Sequence, residues 1–172
     1  WTELDTLHRM GLEELLNDFN ITGISEDAKS DLNLAWHRLD AWPDSPPGLA
    51  RLKSKFILAT MSNGNIALMV NMAKYANLPW DTILGAELAH AYKPDAKTYL
   101  TGVELLHLIP EQVMMVAAHQ DDLLAAAKQG LRTAFVKRPL ERGVNGKVDT
   151  TPDPSFDFVC NDFRDLASQL GV

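Results

Sequence analysis

Three short runs, Phe56–Met61, Val113–Ala118 and Arg132–Val136, each end at a polar turn, and helix-length stretches follow the first two. A four- to six-residue run that is apolar on both faces reads as a strand buried on both sides. Strands alternating with helices of about ten residues read as βαβ units around a parallel sheet. Thr82–Gly85 is expected as a further short strand, and Phe156–Cys160 as a weaker one leading into a closing helix that ends near Leu170. In open sheets of this kind ligands bind outside the carboxyl ends of the strands. That rule singles out Ser62-Asn-Gly-Asn65, His119-Gln-Asp-Asp122 and Lys137-Arg-Pro139.

Ahead of this pattern the chain reads as all-helical. Leu4, Leu7, Met10, Leu12, Leu15, Leu16 and Phe19 have helical spacing over residues 2–19. A second helix is expected over about 25–39, with Ser25 as N-cap and Glu26 and Asp27 favourable in its first turn. Pro43, Pro46 and Pro47 break the pattern, and Pro47 suits the start of a short helix to Lys53. The reading divides the chain into a helical part, 1–42, and an α/β part, 43–172. Within the latter, Pro94-Asp95 opens a helix, Gly130 stops the one over 121–129, and 139–154 is a loop.

Composition narrows the partners. The 172 residues carry 16 Lys and Arg against 23 Asp and Glu, a net charge of −7. That sign argues against nucleic acid as main partner, because phosphates need clustered cations. No apolar stretch approaches the roughly 20 residues that span a bilayer. The lone Cys160 excludes an internal disulfide, and a reducing cytoplasm is the simplest home. His8, His37, His90 and His107 have no metal-ligand spacing and read as structural or solvated, and Cys160 as inert core.

Each candidate site has a plain reading beside a chemical one. Gly64 lets backbone approach a ligand and Asn65 can cap the next helix, which makes the tetrapeptide either an anion site or a simple strand-to-helix turn. Lys93, just before Asp95 and Tyr99, is either a fixed positive charge for an anionic site or a solvated lysine. Asp121 and Asp122 stand together at a strand's carboxyl end. One of them can be a helix cap; the other can hold a lysine, polarise water or bind a metal. His119 is either a water-orienting base or an ordinary loop histidine.

In their order along the chain, these motifs resemble motifs two, three and four of the haloacid dehalogenase superfamily. Leu78-Pro-Trp-Asp81, Lys93-Pro-Asp95 with Tyr99, and Gly130-Leu-Arg-Thr-Ala-Phe-Val136 are similar to the type II 2-haloacid dehalogenases in particular. The resemblance implies a Rossmann-like parallel sheet with helices on both faces, and places 1–42 in part of a small helical cap. It implies a hydrolase that removes halide from small 2-haloacids through an aspartyl ester, without cofactor or metal. Ser62 and the backbone at Asn63 would hold the substrate carboxylate, and Asn63 would help receive the halide. Lys93 would neutralise buried carboxylates, Asp122 would position Lys93 and the hydrolytic water, and Tyr99 would steady the network. A homodimer is expected by the same resemblance.

The chain departs from the family pattern at Ala117 and His119, where Ser and Asn are common, and at Asp121, where an aromatic residue is common. His119 is the candidate to take over water positioning. No Asp-x-x-Gly-Thr segment, the family's nucleophile motif, occurs in the chain. The expectation is therefore a truncated chain, inactive by itself, with a gap in its sheet where the nucleophile strand would run. Two other readings stay open at this point. One is a Mg²⁺-dependent phosphatase on the same scaffold, and the other is an inactive relative that serves as a binding domain.

Overall fold

A computed structural model describes all 172 residues. Helices α1 (Leu4–Asp18) and α2 (Glu26–Asn33) and a 3₁₀ turn (Leu34–Arg38) form the first part. The Ser25 hydroxyl accepts from the Ala28 amide at 3.2 Å, as expected of the N-cap. Of residues 1–42 only Leu16 and His37 are buried. This part therefore holds little core of its own and lies against α4 (Ile66–Tyr75) through the 3₁₀ turn.

Next come α3 (Ser45–Leu52), α5 (Ala86–Ala89), α6 (Ala96–Leu105), β1 (Met114–Ala117), α7 (Gln120–Ala127), β2 (Arg132–Val136), β3 (Phe158–Cys160) and α8 (Phe163–Gln169). The strands pair in parallel in the order β1-β2-β3. Side chains alternate across this sheet. Ala134 and Val136 join Leu49, Leu52 and Leu166 from α3 and α8 on one face. Met115 and Phe135 join Tyr99, Val103 and Leu123 from α6 and α7 on the other. Two helical layers thus enclose one parallel sheet, the α/β class read from the alternation.

The expected strand over 56–61 is only partly realised. It meets the 82–85 segment at two isolated parallel bridges, Ala59 with Thr82 and Ser62 with Gly85, rather than along a continuous ladder. Thr60 reinforces the pairing: its buried hydroxyl donates to the Leu84 carbonyl at 2.8 Å and accepts from the Leu84 amide at 3.1 Å. This pair of segments and the β1-β2-β3 sheet flank a cleft of about 740 Å³. Its walls are mostly apolar, with Ile57, Ala59 and Met61 on one side and Met114 and Val116 on the other.

Two sequence expectations need correction. The Asn65 side chain does not cap α4; Glu87 Oε2 accepts from the Ile66 amide instead. Gly64 also serves local packing, since a Cβ there would stand 2.8 Å from Met69 Sδ and crowd Leu68. The third candidate ligand place is also structural. Arg138 forms a two-pronged ion pair with Asp44 (2.8 and 2.9 Å), and its guanidinium stacks over Trp42 and Phe163.

Candidate active site

Lys93 and Asp122 meet at the mouth of the cleft. Lys93 follows α5, and Asp122 lies in the first turn of α7, directly beyond β1. Their contact, Nζ to Oδ2, is 2.6 Å, with the side chains 15% and 17% exposed. The second Asp122 oxygen accepts from the Tyr99 hydroxyl at 2.6 Å. Tyr99 reaches it from α6, whose N-cap Asp95 accepts from the Lys97 amide at 2.8 Å. Burial first, then the adjacent Asp122 carboxylate, holds the Tyr99 hydroxyl well above the usual phenol range. Tyr99 therefore remains a hydrogen-bond donor at any working pH.

The Ser62 turn reaches the same place. The Lys93 amide donates to Asn63 Oδ1 at 2.7 Å, which ties the turn to the lysine. Ser62 Oγ accepts from the Gly64 amide at 3.0 Å and lines the cleft beside Lys93 and Asp122. Asn63 Nδ2 makes no protein hydrogen bond, leaving a donor for an anion. Gly85 sets the position of Ser62: the Ala86 amide donates to the Ser62 carbonyl at 2.8 Å, and a Cβ on Gly85 would lie 2.2 Å from that oxygen. Its φ of +155° further disfavours any side chain.

Thus Ser62, Asn63, Lys93, Tyr99 and Asp122 converge from four segments. The arrangement can hold an anion against a fixed ammonium and keep a buried carboxylate charged between two donors. Both Asp122 oxygens are engaged by protein groups, which fixes the carboxylate's orientation at the mouth of the cleft.

His119 does not join them. It holds the N-cap position of α7 with extended backbone, and its ring turns out over the 137–155 loop. There Nε2 meets Glu141 Oε1 at 2.7 Å, and the ring is 64% exposed. Asp121 lines the same outer polar pocket, because successive helical residues point about 100° apart and only Asp122 turns inward.

A second buried network had no signature in the sequence. The Asp5 carboxylate of α1 accepts from His37 Nε2 (3.0 Å) and Asn65 Nδ2 (2.8 Å), and Asn71 Nδ2 lies 2.9 Å from His37 Nδ1. It joins the first helical part to the residue directly after the Ser62–Gly64 turn.

Comparison with known proteins agrees with this geometry. Residues 2–130 match the model of the haloacid dehalogenase-like hydrolases. The chain belongs to that family. It is 31% identical over 137 residues to (S)-2-haloacid dehalogenase 4A of Burkholderia cepacia, a match covering 72% of this chain and 59% of that protein. The chain thus spans little more than half the length of that curated relative. Among solved structures it resembles an L-2-haloacid dehalogenase (44% identity, TM-score 0.95, covering 99% of this chain and 72% of that one). It also resembles a defluorinating L-2-haloacid dehalogenase (42% identity, TM-score 0.96, covering 100% and 71%).

Proposed function

We propose that this chain supplies the positioning machinery of a hydrolytic 2-haloacid dehalogenase acting on the (S) enantiomer. The observation that carries the reading is the Lys93–Asp122–Tyr99 cluster, tied through Asn63 to the Ser62 turn at the mouth of the cleft. The relatives named for this activity share the fold over nearly the whole chain.

In the proposed reaction a carboxylate from outside these 172 residues attacks carbon two of the acid. A C–O bond forms, the carbon–halogen bond breaks with inversion, and halide leaves with the bonding electrons. Water then attacks the ester's carbonyl carbon, which releases the 2-hydroxyacid and restores the carboxylate. Ser62 and Asn63 donate to the substrate carboxylate, and the Asn63 amide receives the halide. Lys93 offsets the accumulated negative charge, and Asp122 holds Lys93 and orients the water. With its imidazole committed to Glu141, His119 has no part in these steps.

The phosphatase reading is less well supported, since the relatives are named 2-haloacid dehalogenases and His119 stands where that reading expects an acid. The exposed apolar side chains of α1, its C-cap and α2, among them Met10, Leu15, Phe19 and Leu32, support a homodimer. The single reduced Cys160 supports a cytoplasmic home.

The test is an assay of the gene-encoded protein containing this chain, with chloroacetate, both enantiomers of 2-chloropropionate and p-nitrophenyl phosphate, with and without chelator. Chelator-insensitive halide release from the (S) acid is expected, and none from the 172 residues alone. Chelator-sensitive phosphate release without halide release overturns the reading.

A further inference from the structure

The Asp5 carboxylate, 20% exposed, pairs with no lysine or arginine, and the buried His37 is its one basic partner. An amide nitrogen only donates, so the Asn71 side chain gives a hydrogen to His37 Nδ1. The ring's own hydrogen then sits on Nε2 and points at Asp5. Both ring nitrogens are committed in this way, which leaves His37 no part as a base toward a substrate. Asn33 Nδ2 donates to the Asp5 carbonyl at 3.1 Å and fixes the first turn of α1 from a third side.

Asp5 in turn grips Asn65 at both atoms of its side-chain amide. Asn65 Nδ2 donates to the Asp5 carboxylate at 2.8 Å, and Asn65 Oδ1 accepts from the Asp5 amide at 3.3 Å. An amide held through both atoms cannot turn. Asparagine is among the best helix N-caps, yet at the N-cap position of α4 this side chain goes to Asp5, and Glu87 serves the Ile66 amide. The preceding residues of the turn are held from other directions. The Ser62 carbonyl accepts from the Ala86 amide, and Asn63 Oδ1 accepts from the Lys93 amide. Asp5 thus supplies the third hold on a turn whose free donors, the Ser62 hydroxyl and Asn63 Nδ2, are the ones the proposed reaction uses.

We propose that Asp5 and His37 are positioning residues for the substrate carboxylate: through Asn65 they hold the Ser62–Asn63 turn where its donors meet the acid. The proposal rests on the dehalogenase reading for the identity of that acid. Neither residue touches the substrate or takes part in a bond change. Without His37 a mostly covered carboxylate keeps too few donors and is drawn toward water, and Asn65 is drawn with it. Hydrogen bonds weaken steeply with misalignment, so a small shift of the turn weakens its grip on a carboxylate. A bond that only fastened the helical part could end on any polar side chain along α4. This one ends on the residue that closes the anion-binding turn, and His37 adds a second hold on the same helix through Asn71.

The test uses the gene-encoded protein containing this chain, with (S)-2-chloropropionate as substrate and propionate as an unreactive carboxylate. His37→Leu and Asp5→Ala remove the hold, and His37→Gln keeps an amide donor within reach of Asp5. Leu16→Ala, also in α1, weakens apolar packing alone. Donors that grip the carboxylate equally before and during reaction act on KM rather than kcat. For His37→Leu and Asp5→Ala, KM and the propionate Kd from calorimetry should rise about 3- to 30-fold, with kcat within about twofold of wild type. His37→Gln should recover most of this loss, and Leu16→Ala should leave KM unchanged. NMR spectra of His37→Leu should show larger shifts at the Ser62 and Asn63 amides than at Leu123 in the core. Should His37→Leu fail to fold by circular dichroism, Asp5→Asn, whose amide nitrogen cannot accept, is judged by the same measures. A lower kcat with KM unchanged, the mark of fewer folded molecules, overturns the proposal, as does an equal rise of KM in Leu16→Ala. If the wild type releases no halide, the dehalogenase reading falls, and the propionate Kd with the Ser62 and Asn63 shifts decides the positioning alone: unmoved values overturn it.

Discussion

The Tyr99 hydroxyl and the Lys93 ammonium sit on opposite oxygens of the Asp122 carboxylate, each at 2.6 Å. One partner comes from a helix and the other from the loop before it, so the carboxylate is held from two directions. Replacing Tyr99 by Phe leaves one oxygen without its donor. The expected result is a loss of about 1–2 kcal/mol in stability by chemical denaturation. The proposed halide release, assayed in the gene-encoded protein, should fall by roughly 10- to 100-fold in kcat. Because the folded state raises this tyrosine's pKa above its unfolded value near 10, its contribution to stability is level below about pH 10 and is lost as pH rises beyond it. The Phe variant should lack that alkaline decline.

Lys93→Met and Asp122→Asn should each destabilise the fold, since either change leaves a mostly buried charge unpaired. Losses of about 2–3 kcal/mol are expected, and the double variant should lose less than the sum by about 1 kcal/mol or more. Denaturation midpoints of the four proteins test this, and strict additivity would refute the coupling.

The pair Asp44–Arg138 makes an acid-side prediction. Burial works against the Asp44 charge, but the Arg138 guanidinium and the Phe163 amide outweigh it and hold the carboxyl below the usual aspartate range. A depressed pKa contributes stability above the unfolded value, near 4, and loses it as pH falls through the folded value. Thermal stability should therefore decline below about pH 4. Arg138→Met should be about 3 kcal/mol less stable at pH 7, and the variant should show a shallower acid decline.

Gly85→Ala tests how the Ser62 turn is held. Its Cβ would meet the Ser62 carbonyl oxygen at 2.2 Å, and backbone on both sides must move. A loss of about 2–3 kcal/mol is expected, with NMR shifts at Ser62 and Asn63 larger than those at Leu123 in the core.

The exposed apolar residues of α1 and α2 predict self-association. Light scattering of the gene-encoded protein should give twice the protomer mass. The double change Leu15→Asp and Phe19→Asp should give the protomer mass with the circular dichroism spectrum unchanged. A wild-type monomer at high concentration would sink the homodimer.

Much of this was legible in the chain. Val113–Ala118 and Arg132–Val136 announced buried strands because both of their faces are apolar, and Asp95 and Ser25 announced caps through local chemistry. Lys93, Tyr99 and Asp122 were legible from motif order. Asn65 was misread, and the Glu141 partner of His119 was not foreseen, for one reason: the sequence shows a residue's place on its own element but not what lies opposite. Asn65 stands where a cap belongs, yet Asp5, sixty positions away, takes its amide. Arg138 stands at a strand's carboxyl end, where a ligand would bind, yet Asp44 was waiting for it.

The order of apolar and polar residues by itself determined the layered α/β class, the strands, most helix limits and the set of residues eligible for chemistry, because periodicity and capping act over a few neighbours. Only the tertiary structure decided which eligible residues meet. Asp122 faces inward and Asp121 outward through one step of helical rotation, and Asp5 meets His37 and Asn65 from a distant helix. Such pairings depend on how whole elements pack, a property no local run of residues encodes.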